Sequence, residues 1–517
     1  MTVLALALAL ALGQSAASPD LAPQPVLERI GALLESQNVD AAHKAAAAAL
    51  ATYPQDPVVH NLAGVIDAER GDSSSAESQF QTAIGLAPGL TSAYENLGRL
   101  YQERGATDPG ARAQALQIYS ALLAIDPANA EGLYQSAYLH ANDGRFSDAP
   151  ALLARLPEDA RGRPQVLALT AVAAMAMHRP ADADAALRAL AGHPDLAAPD
   201  IVGLLPALDR LDNPVLTTRL LELLDARNLA SADVLQRLGE SYFRQARFAD
   251  ARATLERAST AVAPTVPLLM SLARAADKLG DHQGALGYLA HARSLEPSNA
   301  RVHFMFGMIC VELDLVREAY ESLKQAVSLE PANPLINYAM GAVSMHRHEP
   351  AEALPYFETY VRLMPDDPRG RFALGVARFT AGQLEQAATD LHEAARHEQT
   401  AGGAHYYLAR IARQANDLDN GRREINESLR LVPDFADGWA EAGLLETRAG
   451  NYDQAQKALD RALQLDPENY LATVNLTALY TRTRDPRREA QAAKLAALQQ
   501  KREERAQDFL RIIEVAP

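Results

Sequence analysis

The feature that most constrains this chain is a pattern that returns every 34 residues between positions 232 and 467. It is clearest in residues 300–331, 334–365 and 436–467. The eighth position of a unit is small, as at Gly307, Gly341, Gly375 and Gly443, and the twentieth is alanine, as at Ala319, Ala353, Ala387 and Ala455. The thirty-second is proline in most units, as at Pro297, Pro331, Pro365, Pro433 and Pro467. A fixed period of this length marks a solenoid, in which each unit packs only on its neighbours. A chain of 517 residues can therefore fold without one oversized core.

The spacing has a physical reading. Positions 8 and 20 are expected to face each other where the two helices of a unit cross, with large neighbours such as Leu374, Phe357 and Trp439 filling the space around them. A long side chain at the crossing overpacks it, at about 1–3 kcal/mol. Ala319→Leu is thus expected to destabilise, and the same change at Gly421, where the unit at 402–433 departs from the pattern, is expected to be milder. Proline at position 32 cannot continue a helix and biases its predecessor away from helical angles, so the second helix stops there.

With its in-phase glycine, two alanines and proline, as in Gly64, Ala76, Ala83 and Pro88, the chain resembles the tetratricopeptide repeat family. Trp439 and Tyr242 stand at two of the family's aromatic positions. The resemblance implies an all-α, right-handed superhelical solenoid of about fourteen antiparallel helix pairs. It also implies that first helices line a concave face through positions 2, 5, 9, 12 and 13.

Composition limits the function. With 65 acidic residues against 49 basic ones, the net charge is −16, which offers no general phosphate footprint for nucleic acid. Residues 3–12 form an apolar run too short to span a bilayer but suited to a secretory signal, with Ser15 and Ala17 as the small residues of a cleavage site. Cleavage after Ala17 is expected, giving an exported protein, periplasmic or secreted. No Lys or Arg precedes the run, so a retained N-terminal helix in a cytoplasmic protein is the alternative. No other segment approaches transmembrane length. Cys310 is alone and core-facing, so it forms no internal disulfide.

The organisation reads as a signal at 1–17, a linker and irregular helical pair at 18–56, and repeat units at 57–129 with five extra residues around 106–110. Three degenerate pairs follow at 130–230, where Pro157, Pro164, Pro180 and Pro194 fall at uneven spacing. The regular array occupies 231–469. Capping helices fill 470–517 and end in an apolar tail at 509–515 that either folds back on the last unit or docks on a partner.

No phosphate loop, nucleophile elbow or zinc spacing is present in the sequence, and neither a catalytic role, a cofactor nor a metal is expected. The concave positions of the units at Thr91 and Ala232 are polar, but four successive units differ. They present Phe304, Met308 and Val311; Tyr338, Ala342 and Met345; Phe372, Val376 and Phe379; and Tyr406, with Arg410 and Arg413 beyond it. This stripe is either one exposed apolar groove or core buried between neighbouring first helices. The groove reading makes the chain a scaffold that binds protein or peptide segments, with the two arginines meeting an acidic group. The alternative is a helical arm that presents substrates to a separate catalytic chain in an envelope complex.

Overall fold

Polar caps and prolines set where the helices of this protein begin. The computed structural model describes residues 21–105 and 108–514, the side chains of 109 and 502–514 excepted. The expected signal at 1–17 and Val515 of the tail lie outside the described residues. Those described form helices joined by short turns, with no strand. The chain divides into two compact units, 1–264 and 265–517, each a stack of antiparallel helix pairs.

In the first unit, Asp56 and Asn129 cap helices Pro57–Glu69 and Ala130–Asn142 by accepting backbone N–H bonds. The 18–56 segment holds a pair, Gln24–Glu35 and Val39–Thr52, so Pro25 opens a helix rather than belonging to the linker. Likewise Pro109 and Gly110 start helix Pro109–Ile125 instead of lengthening the loop before it.

The weak stretch at 130–230 keeps the repeat phase. Gly144, His178, Asp212 and Ala246 all adopt left-handed backbone angles, φ +53° to +82°, at intervals of 34 residues. They mark the turn inside each pair, at position 15. Three units therefore begin at Ala130, Pro164 and Ala198. Pro164, Pro180 and Pro214 open helices Pro164–Ala176, Pro180–Gly192 and Pro214–Ala226. At a first helical position proline loses no hydrogen bond, so these prolines start helices instead of ending them. Two of these units are irregular: the second helix of the first breaks into Ala149–Arg155 and Glu158–Arg161, and the first helix of the third breaks into Ala198–Val202 and Leu205–Leu211. The second break is held from outside. The Gly203 carbonyl accepts from the Tyr138 hydroxyl at 2.9 Å and from Asn142 Nδ2 at 3.3 Å, and the Ala207 N–H donates to Asn142 Oδ1 at 3.0 Å.

The second unit is regular. Its pairs run from Val266–Lys278 with His282–Leu295 to Ala436–Ala449 with Tyr452–Leu465, and the left-handed residue recurs at Gly280, Asp314, His348, Gly382, Asn416, Gly450 and Arg484. The final helix, Arg488–Glu514, packs on Tyr470–Thr483. It is continuous, so the apolar tail as far as Ile513 prolongs that helix and does not fold back as a separate element.

Two contacts repeat in both units. The side chain at position 4 reaches the carbonyl of the preceding position-32 proline: His60 to Pro54 at 3.0 Å, Tyr94 to Pro88 at 3.2 Å, His303 to Pro297 at 2.9 Å, Asn337 to Pro331 at 2.9 Å and Trp439 to Pro433 at 2.8 Å. The proline that ends one helix thus supplies an acceptor that ties in the next unit. The second contact adds a partner to the expected crossing. A Cβ at the position-8 glycine meets the side chain at position 24, not that of the alanine at position 20. The distances are 2.7 Å to Leu323 from Gly307, 2.7 Å to Phe357 from Gly341 and 2.5 Å to Leu459 from Gly443. Position 20 contributes only its carbonyl, 3.2–3.3 Å away where it comes near. At Gly421, which is buried, a Cβ would stand 2.9 Å from Leu445 Cδ2 of the following pair.

Candidate functional site

The four-unit apolar stripe divides into an open half and a closed half. The open half lies between helices Ala300–Glu312 and Pro334–His346. Phe304, Met308 and Val311, spaced i, i+4, i+7, form one wall, and Leu335, Tyr338, Ala342 and His346 form the other. Val316, Ala339 and Val343 complete a cavity of about 370 Å³. Val311 is 41 % exposed and Leu335 60 %, far more than large apolar residues of a packed core. The groove stays open because its second wall has Ala339 and Ala342 opposite the bulkier first wall. Tyr338 is fixed edge-on against Phe357, ring centroids 5.6 Å apart, and tilted on Tyr360 at 4.9 Å; burial pushes its phenol pKa upward. At the rim, His346 Nε2 lies 3.2 Å from Asp314 Oδ1. Met345 points elsewhere, packing with the cluster around Phe357 and Leu374.

The closed half corrects the idea of one continuous surface. Phe379 and Tyr406 are 8 % and 7 % exposed, with Phe372 and Val376 packed against the same interior. The cause is local. Tyr407 fills the gap, its ring centroid 6.1 Å from Phe372, 5.4 Å from Phe379 and 5.2 Å from Tyr406. Gly403 lets Phe372 come so near that a Cβ there would stand 2.8 Å from its ring. Helix Glu398–Gln414 thereby closes onto Pro368–Thr380. Burial raises the Tyr406 hydroxyl to about 12.

The two arginines also part company. Arg413 is paired with Glu441, whose side chain is 1 % exposed. A charge so buried is stabilised only by its partner, so Arg413 is committed to the fold and corrected as a contact for an outside acid. The guanidinium of Arg410 instead lies over the rings of Phe379, Tyr406 and Tyr407, at 4.7, 5.4 and 5.4 Å from their centroids. Nearby, Asp390, 1 % exposed, accepts from both Arg371 and Arg378, and its contact with Arg371 is the position-4 to position-23 pairing that recurs at His405 and Glu424.

Among the described residues no group of three His, Cys, Asp or Glu is arranged to hold a metal ion, and no helix is long and apolar enough to cross a membrane. Burial raises the Cys310 thiol to about 11.

Four family models described as tetratricopeptide repeat match the chain, at residues 27–108, 106–173, 236–300, 300–333, 372–434 and 436–469. The chain belongs to the tetratricopeptide repeat family. No curated protein matches it significantly. Among solved structures, this repeat protein is similar to the Cut9–Hcn1 hetero-tetramer of the APC/C, with 15 % identity over 89 % of this chain and 100 % of that one, TM-score 0.40. It is also similar to Naa15/Naa10 bound to HypK-THB, with 14 % identity over 93 % and 94 %, TM-score 0.38. A third is PilW, a type IV pilus biogenesis factor, with 20 % identity over 41 % and 98 %, TM-score 0.37. The family assignment rests on the repeat models, not on these likenesses.

Proposed function

We propose that this tetratricopeptide repeat protein works by binding, as a non-catalytic scaffold that takes the apolar anchor residues of a partner polypeptide into the groove between Ala300–Glu312 and Pro334–His346. The observation that carries this reading is a groove whose walls are apolar apart from its rim and whose Val311 and Leu335 side chains stay exposed to solvent. A patch of this kind is kept in a soluble protein where something covers it. Ridges at i, i+4, i+7 on two adjacent helices leave a valley suited to aliphatic or aromatic side chains. Export of the chain, through the segment before Ser18, belongs to the same proposal.

Ala342 gives a clean test, because it is exposed at the centre of one wall and can be enlarged without entering the core. Peptides selected from a random displayed library on the full chain are expected to share one or two large apolar residues. Ala342→Arg should weaken their binding by tenfold or more, equivalent to about 1.4 kcal/mol, with the unfolding midpoint unchanged. Selected peptides that bind Ala342→Arg as tightly as the parent would rule the groove out.

A further inference from the structure

Helix Pro164–Ala176 is apolar on every side, with Gln165 and Thr170 its only polar side chains. A helix of that kind needs cover all round. In the regular repeats the cover includes second helices of 14 residues. The second helix before Pro164–Ala176 is instead Ala149–Arg155, 7 residues long, and it breaks before Glu158–Arg161. A groove of about 450 Å³ is left at this place. Leu167, Thr170 and Met177 line it from the apolar helix, Ala154 from the shortened one, and Ala185 and Ala189 from Pro180–Gly192. Met177 and the three alanines are exposed. The polar groups around the groove have partners within the chain. Arg161 donates to the Leu156 and Ala154 carbonyls at 2.8 and 2.7 Å, Arg179 is paired with Asp182 at 2.6 Å, and the Thr170 hydroxyl donates to the Val166 carbonyl at 2.7 Å. What fits here is apolar, and a polypeptide that enters must bring its backbone already hydrogen-bonded, as a helix does.

The C-terminal helix of the chain supplies such a segment. Arg488–Glu514 has 27 residues, against 14 in Tyr470–Thr483, on which it packs. Gln499 donates to the Tyr470 hydroxyl at 3.3 Å and Lys501 pairs with Glu468. By residue 501 the helix has thus reached the far end of its partner, and residues 502–514 run on past it for about 20 Å. Their sequence is a stem, 502–508, without a large apolar residue, and then Phe509, Leu510, Ile512 and Ile513. Phe509, Ile512 and Ile513 stand at i, i+3 and i+4, on one helical face. An apolar tip carried outward on a polar stem needs a surface to cover it. The groove beside Phe304 and Tyr338 is lined by large side chains and suits single anchors. Alanines along the groove over Pro164–Ala176 let a whole helix approach.

We propose that the helical tip at 509–513 of one copy of this chain docks in the groove over Pro164–Ala176 of a second copy. The contact is heterologous, since tip and groove are different surfaces, so two copies exchange both or a row of copies grows.

The test is light scattering on the full chain, whose mass should rise with concentration. Phe509→Asp in the tip and Ala189→Arg in the groove each bring a charge into an apolar contact. Each should weaken association by about tenfold or more. Ala185→Arg, one turn away, should act as Ala189→Arg does, and circular dichroism should show unchanged melting for all three. A mixture of Phe509→Asp with Ala189→Arg joins an intact groove to an intact tip, and a one-to-one dimer should return at the wild-type affinity. Wild type that stays monomeric at every concentration, or a mixture that fails to associate, overturns the proposal. Association lost in Phe509→Asp but kept in both groove variants overturns it as well, because the tip then meets another surface. So does association that Ala342→Arg abolishes, which would seat the tip in the other groove.

Discussion

Changing Gly307 and Gly287 to alanine tests the packing account with a single methyl group. Both glycines lie inside helices of the second unit, Ala300–Glu312 and His282–Leu295. Alanine in a helix interior is favoured over glycine by about 1 kcal/mol. At Gly287 no atom lies within 4 Å of the added Cβ, so the substitution should stabilise by about that amount. At Gly307 the new Cβ would be 2.7 Å from Leu323 Cγ and 3.3 Å from the Ala319 carbonyl. Leu323 is fully buried, and overpacking of this kind costs about 1–3 kcal/mol. The clash outweighs the propensity gain, and a net loss of about 1 kcal/mol is expected. Urea denaturation followed by circular dichroism reads both, as midpoint shifts at constant slope. The two variants should move in opposite directions. A Gly307→Ala variant as stable as Gly287→Ala would mean that position 8 is not packed against position 24, and the contact proposed to set the pair geometry would be wrong.

Ala246 adopts φ +58°, a region that disfavours a side chain by about 1–2 kcal/mol, so Ala246→Gly should raise the thermal midpoint, less the added chain entropy of glycine. Trp439→Phe removes the indole donor to the Pro433 carbonyl and should destabilise the second unit by about 1 kcal/mol in the same urea assay. For the N-terminus, mass spectrometry of the native protein should find Ser18 as the first residue; a retained Met1 or Thr2 in a cytoplasmic fraction contradicts export.

The repeat was legible because glycine at the eighth position of a unit, alanine at the twentieth and proline at the thirty-second mark geometry that other residues do not easily satisfy. Between residues 130 and 230 those markers fade, and the prolines fall at uneven spacing because some, such as Pro164 and Pro180, open helices there. The same 34-residue phase survives in the left-handed turns at Gly144, His178 and Asp212, but His and Asp do not announce such an angle in a sequence. For the groove, residue type at positions 5, 9 and 12 told which side chains point inward from the first helices but not how near the next helix stands. Met308 and Phe379 look alike in the pattern. Ala339 and Ala342 leave space opposite Met308, whereas Gly403 and Tyr407 draw the neighbouring helix over Phe372 and Phe379. Charge matching is equally non-local, since the acid that commits Arg413 is Glu441, in the following unit.

The claim that the open half of the stripe is where a partner docks is tested most directly by hydrogen exchange of the full chain with and without a selected peptide. Backbone protection is expected to rise in Ala300–Glu312 and Pro334–His346, with little change in the outer helices Val316–Leu329 and Pro350–Leu363 or before residue 265. Protection confined to those outer helices, or to the first unit, would contradict the account.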